Sequence, residues 1–422
     1  MPSIPVLFAF TVANLAILWQ WLLKDVVYVT YGVSRVMEPL SSFPYNCRRI
    51  NDHNLAACED AWLDTSSRQL FLACSNALAR KAWNPAIGHF AAERRSRTDH
   101  IVALSIDTPH PQDPNAFDYR ILGLGDFENS LGESSINMVG MSGMHQADGS
   151  LHLYLVNSAP TYNATTQRLA PQDVTGPNAT IEVFALPSSS SSEELTHLHT
   201  FYNRELITTP NRPAPLPDGS LYISNDHGPN KAGLGFALSP VLRTGTIVHC
   251  QPPKEPNTEA VCNQVGGKHA YPNGLHYSTR DSLLYVPSSV TGRITVYEPQ
   301  VELTNKNGST LQRVADISVG YPIDNISEDE DGDLYAAVFP KLSEMMDLFK
   351  SSTPIDGRGA PTAAFKISRK GETGRNWEVQ KVVEDPVGET LPATTTVVRD
   401  SKTGRLFFFG VVSPWIAVCE LR

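Results

Sequence analysis

Along most of the chain, apolar residues come in short runs bounded by Gly, Pro, Asn and Asp, a pattern that predicts strands rather than helices. Such runs occupy residues 70–73, 101–106, 151–157, 180–186, 221–224, 244–249, 283–286, 293–297, 334–337, 363–367 and 405–412. Among them only Leu342–Lys350 reads as a short helix. Many short strands at near-regular spacing predict a closed all-β body, whether sandwich, barrel or propeller. No strict repeat of the WD40 or kelch kind stands out. Residues 188–192 and 353–361 read as surface loops, and no second domain is visible.

The N-terminus breaks this pattern. Residues 4–23 form an uncharged, largely apolar run of twenty, long enough to cross a bilayer as one helix. Trp19 and Trp21 stand near one end, where amphipathic rings favour a membrane interface. Lys24-Asp25-Val26-Val27-Tyr28 offers no small-residue cleavage site. The expectation is therefore an uncleaved signal-anchor over residues 1–24, a linker over 25–46 and a single body over 47–422. Lys24 and Arg35 follow the run and no cation precedes it, so charge alone does not place the body in the lumen.

Sequons and cysteines favour the lumen. Asn163-Ala164-Thr165, Asn178-Ala179-Thr180 and Asn307-Gly308-Ser309 are glycosylation acceptors in polar stretches. A disulfide between Cys47 and Cys419 would tie the two ends of the body together, which the chain-entropy model values at roughly 4–5 kcal/mol. Cys250 and Cys262 flank a Pro-rich insertion and suit a second bridge. Cys74 reads as a buried thiol, and Cys58 has no assigned partner. These features place the chain in the secretory pathway, anchored at the endoplasmic reticulum lumen or cell surface, or secreted after cleavage. A net charge of −10 and a pI of about 5.6, without a basic stripe, exclude a nucleic-acid partner.

Four runs of amide and carboxylate residues border the strands. They are Cys58-Glu59-Asp60, Ser224-Asn225-Asp226-His227, Tyr271-Pro272-Asn273-Gly274 and Ile323-Asp324-Asn325-Ile326-Ser327. Any one of them is ordinary turn chemistry. Returning at successive strand ends, their oxygens suit one hard cation on the axis of a closed β structure. Calcium takes about six to eight such ligands.

With Pro44-Tyr45-Asn46-Cys47, Ile294-Thr295-Val296-Tyr297-Glu298 and the ending Cys419-Glu420-Leu421, these runs make the chain resemble the serum paraoxonase/arylesterase family. The resemblance runs from Cys47 to the C-terminus. It implies a six-bladed β-propeller closed by the Cys47–Cys419 disulfide and preceded by the N-terminal hydrophobic helix. It also implies a calcium-dependent hydrolase of lactones and aryl esters. Two calcium ions are implied: a catalytic one held by Glu59, Asn225, Asn273, Asp324 and Asn325, and a structural one held by Asp60, Asp226 and a backbone carbonyl near Met141. Asn325-Ile326-Ser327 is itself a sequon, expected to stay unglycosylated because a buried ligand cannot carry a glycan.

The chain departs from the family where a histidine dyad is expected. Val139 and Ser158 stand at the two dyad positions, and Phe339 at a further pocket histidine. What remains is calcium as a Lewis acid, with Asp324 as nucleophile or general base. His145 is the nearest histidine in sequence to the lost dyad and the candidate to replace it. His227 reads as a hydrogen-bonding support beside the ligands, and His269 as a rim residue. Loops 161–172 and 341–358 are expected to wall the pocket. Two functions stay open: a calcium-dependent hydrolase of small ester or lactone substrates, and a non-hydrolytic calcium-binding propeller. The second would serve as a membrane-tethered binding protein or as an isomerase or cyclase.

Overall fold

The structure, a computed structural model, describes residues 4–163, 165–187, 193–255, 258–301, 309–353, 355–371 and 375–422. Six four-stranded antiparallel sheets stand around one axis as the blades of a propeller. The inner strands are Asp60–Asp64, Met138–His145, Pro210–Pro215, His276–Ser278, Ile323–Glu328 and Thr396–Arg399, and each packs against the next until the last meets the first. The sixth blade is composite. Its outer strand, Tyr45–Ile50, comes from the start of the body and pairs with Ile416–Leu421 at the end of the chain, with Cys47 opposite Cys419. A disulfide joins that pair.

Burial explains the strand pattern. Second strands such as Leu221–Asn225, Leu283–Pro287 and Leu334–Val338 are covered on both faces, so their apolar runs are nearly continuous. The outer strand Asn376–Asp385 alternates for most of its length, as a strand half in water must. The core is a set of wedges between blades. Leu70, Leu72, Val102 and Leu104 of the first blade meet Phe407, Phe409 and Val418 of the sixth.

One six-fold repeat appears only in the backbone. The turn from inner to second strand carries a left-handed residue in every blade: Arg68, Gly149, Gly219, Ser282, Gly332 and Gly404. Two residues later comes a buried leucine: Leu70, Leu151, Leu221, Leu284, Leu334 and Leu406. Glycine fills four of the six turns because it adopts positive φ without steric cost.

One expectation changes. Cys74 is no free thiol, because it forms a disulfide with Cys58. Cys250–Cys262 forms the bridge expected of it, between paired strands of the third blade, and no described cysteine is free. At the N-terminus an α-helix over Ile4–Leu18 continues without a break into a π-helical turn over Trp19–Leu23. Among the described residues no helix is long and apolar enough to cross a membrane. The segment beyond it straps onto the body. Arg35 lies 3.9 Å over the Tyr321 ring and donates to the Pro340 and Gly320 carbonyls.

Of the sequons, Asn163 is exposed, Asn178 half-buried on a strand and Asn325 buried, while Asn307 lies outside the described residues. Three disulfides are consistent with an extracellular or secretory-pathway protein.

Candidate active site

The starts of the inner strands converge at one end of the axis, under a cavity of about 470 Å³. Its polar floor is Glu59, Asn211, Asn273, Asp324 and Thr395, from five different blades or the turns leading into them. Its walls are apolar: Ile87, Phe236, Pro240, Phe339, Leu342, Met345, Met346, Phe349 and Val411. Two of these walls are helices. Leu342–Lys350 is the expected one, whereas Gly233–Leu242, with Pro240 inside it, is not read from the sequence. Thr30 and Tyr31, from the N-terminal strap, complete the lining. Loop 341–358 therefore walls the cavity as expected, and loop 161–172 does not.

The floor is built from exchanged hydrogen bonds between neighbouring blades. Thr395 and Thr396 hydroxyls donate to the Glu59 carbonyl at 2.6 and 3.0 Å, and Asn325 Nδ2 donates to Thr396 Oγ1 at 2.8 Å. Asn273 Nδ2 donates to Ser289 Oγ at 3.0 Å, and Ser289 in turn to the Ile323 carbonyl. With their nitrogens fixed this way, Asn273 and Asn325 turn their oxygens inward. Glu59 Oε2, Asn273 Oδ1, Asn325 Oδ1 and Asp226 Oδ1 are buried without a hydrogen-bond partner. Buried acceptors are normally satisfied, so the unpartnered oxygens of Glu59, Asn273 and Asn325 are compatible with a cation, although among the described residues no group of three His, Cys, Asp or Glu is arranged to hold a metal. Gly274 leaves room for the Asn325 oxygen, which a Cβ there would meet at 1.7 Å.

Charge points the same way. Glu59, Asp60, Asp99, Asp226 and Asp324 are gathered round two buried guanidiniums, Arg80 and Arg212, so three negative charges have no counterpart. Burial pushes the Glu59 carboxyl up to about 8, against the pull of Arg80. Burial, and after it the charges of Glu59 and Asp60, hold the Asp324 carboxyl well above the carboxylate range. A bound cation would reverse both directions. Oxygen donors with surplus negative charge fit a hard cation such as calcium.

Not every expected ligand is free. Asn225 Oδ1 accepts the Thr208 and Thr209 N–H groups, both at 3.0 Å, while Nδ2 donates to the Leu206 carbonyl at 2.8 Å. Asn225 braces the third blade, and Asn211 faces the cavity instead. Asp60 and the Met141 carbonyl, the expected ligands of a second calcium, are hydrogen-bonded to Arg212.

His145 is not brought to the site. It ends the inner strand that Met138 begins, and the six residues from Val139 carry it roughly 20 Å along the axis. There its Nε2 lies 2.9 Å from Asp64 Oδ1 and its side chain is 45 % exposed. His145→Ala is expected to leave hydrolysis and stability nearly unchanged, within about 0.5 kcal/mol, in a rate assay beside a urea titration. Among the described residues His227 is the one histidine lining the cavity. Its ring stacks on Phe236 and its nitrogens lie beside Ser239 Oγ and the Ala86 carbonyl. His269 sits on the third blade with Nε2 3.2 Å from Tyr297 Oη, apart from the cavity, and burial lowers its pKa to about 4. Val139 and Ser158 border small voids beside Arg80 and Trp83.

Tyr271 shapes the wall through a left-handed backbone, φ +49°, and Tyr271 Oη donates to the Ala86 carbonyl at 2.9 Å. Sequence reading missed it, as it missed Arg80, Asn211 and Arg212. The visible signal was Arg212 standing alone among apolar neighbours in Pro210-Asn211-Arg212-Pro213-Ala214-Pro215.

The family model named Arylesterase matches residues 126–358, more than half of the chain. The chain belongs to the arylesterase family. No curated protein matches it in sequence. Among solved structures, the major Malassezia sympodialis allergen Mala s 1 is 12 % identical with a TM-score of 0.49, covering 89 % of this chain and 96 % of its own. A luciferin-regenerating enzyme is 14 % identical with a TM-score of 0.45, covering 89 % and 95 %. A gluconolactonase from Xanthomonas campestris is 14 % identical with a TM-score of 0.42, covering 92 % and 99 %. These are distant likenesses of chain course and decide nothing about chemistry.

Proposed function

We propose that this arylesterase-family chain hydrolyses small apolar lactones or aryl esters, with one calcium ion held by Glu59, Asn273, Asp324 and Asn325. The observation that carries this reading is the set of buried, unpartnered oxygens on the floor of an otherwise apolar cavity. Bound calcium would polarise a carbonyl oxygen as a Lewis acid. The apolar walls take up the alkyl or aryl part of the ester and exclude bulk water. Asp324, on the floor, uses its second carboxylate oxygen to take the proton of an attacking water or to attack the carbonyl itself. Among the described residues no cavity histidine is free to share that proton transfer, since His227 is held on both nitrogens. Arg80 Nη1, 3.4 Å from Glu59 Oε2, pulls that carboxyl toward the ionised form against its burial, and a bound cation would pull it further.

Family membership supports a hydrolase of esterase or lactonase type. The N-terminal helix, with Phe8, Phe10, Leu15 and Trp21 exposed, is proposed to associate with a membrane surface in the secretory pathway. Asn163 is proposed as a glycosylated position.

The test is hydrolysis of phenyl acetate and a series of aliphatic lactones by the full chain, with calcium and with a chelator. Turnover should fall by at least about 100-fold on chelation and return with added calcium. Turnover indifferent to chelation would remove the metal from the reaction. A folded, calcium-loaded chain without turnover would favour the non-hydrolytic binding role instead.

A further inference from the structure

Arg212 stands in the inner strand of the third blade, 3 % exposed, with its guanidinium in the middle of the ring. Its Nε lies 2.9 Å from Asp60 Oδ2 and 3.0 Å from the Met141 carbonyl oxygen, and Nη1 donates to the Ile326 carbonyl. Those three acceptors belong to the first, second and fifth blades, so one side chain links four of the six. Both Asp60 oxygens are engaged. Its Oδ1 accepts from Ala61 N at 2.9 Å and lies 3.0 Å from Thr396 Oγ1, and its Oδ2 accepts from Met141 N at 2.8 Å and from Arg212.

We propose that Arg212 is a resident cation of the propeller axis. It occupies the Asp60 and Met141 place that a second calcium would need, and any calcium on the axis is held on the Glu59 and Asp324 side alone. The contrast between the two groups of oxygens carries the argument. On the Glu59 side the Asn273 and Asn325 amide oxygens have no hydrogen-bond donor and Glu59 Oε2 has only Arg80 at 3.4 Å, whereas the Asp60 oxygens and the Met141 carbonyl each accept a hydrogen bond. Asp226 retains one free oxygen, far short of the several ligands calcium takes. A guanidinium supplies the positive charge permanently, and its planar fork reaches acceptors that point toward a common centre. That the remaining ion is calcium rests on the reading of the preceding section; the assignment of Arg212 does not.

The measurement is calcium stoichiometry by elemental analysis of the full chain after equilibration with calcium and gel filtration, repeated on Asp324→Asn and Asp60→Asn. One ion per chain in the parent and none in Asp324→Asn is the expected result. Thermal unfolding of Asp324→Asn should then be the same in calcium and in chelator. Two ions in the parent would overturn the assignment. So would a single ion that survives Asp324→Asn and disappears in Asp60→Asn, or a calcium-dependent melting shift in Asp324→Asn. No ion in the parent would leave Arg212 in its place and overturn the calcium reading of the active site instead.

Discussion

Asp324→Asn is expected to lower kcat/KM for a lactone by about 10³-fold or more, since it removes both a ligand charge and the proposed base or nucleophile. The substitution keeps the shape of the side chain and relieves repulsion among buried acids, so the fold should persist. Calcium affinity should also fall, and for that reason the rate is measured across a calcium titration. Recovery to within about ten-fold at saturating calcium would mean that Asp324 serves only the ion. A deficit that calcium cannot repair supports its part in the chemistry. Near-parent rates at every calcium level would dismiss Asp324 from both roles.

The second large effect concerns closure. Cys47–Cys419 spans 372 residues and Cys250–Cys262 only 12. The chain-entropy model separates their contributions by about 3 kcal/mol in favour of the long loop. Replacing Cys47 and Cys419 together by serine is therefore expected to cost about 3–5 kcal/mol, and the same change at Cys250 and Cys262 clearly less. Denaturant titrations of both variants under non-reducing conditions measure the difference. Equal losses would show that paired strands Tyr45–Ile50 and Ile416–Leu421 already close the ring and that the bond adds little.

Much of this was legible before any coordinates. The apolar runs marked the second strands because burial on both faces demands them, and the four amide and carboxylate runs do border the axis. The six-fold turn was harder to see, because a left-handed turn accepts Arg68 or Ser282 as well as glycine. Only the backbone reveals that they are equivalent. Arg80 and Arg212 could not be placed at all. A buried guanidinium is tolerable only with its acids around it, and those acids come from other blades. His145 failed for a simpler reason. Nearness in sequence is distance along an extended strand, so a histidine six residues from the lost dyad lies at the opposite end of the axis.

Thr30 and Tyr31 line the cavity, although they precede the first strand by more than a dozen residues. Polypeptides shortened at the N-terminus, by proteolysis, alternative initiation or laboratory trimming, would retain every blade and the whole acidic floor. They would nonetheless present a wider entrance to bulkier esters. Assays on such trimmed proteins would measure the selectivity of a different catalyst.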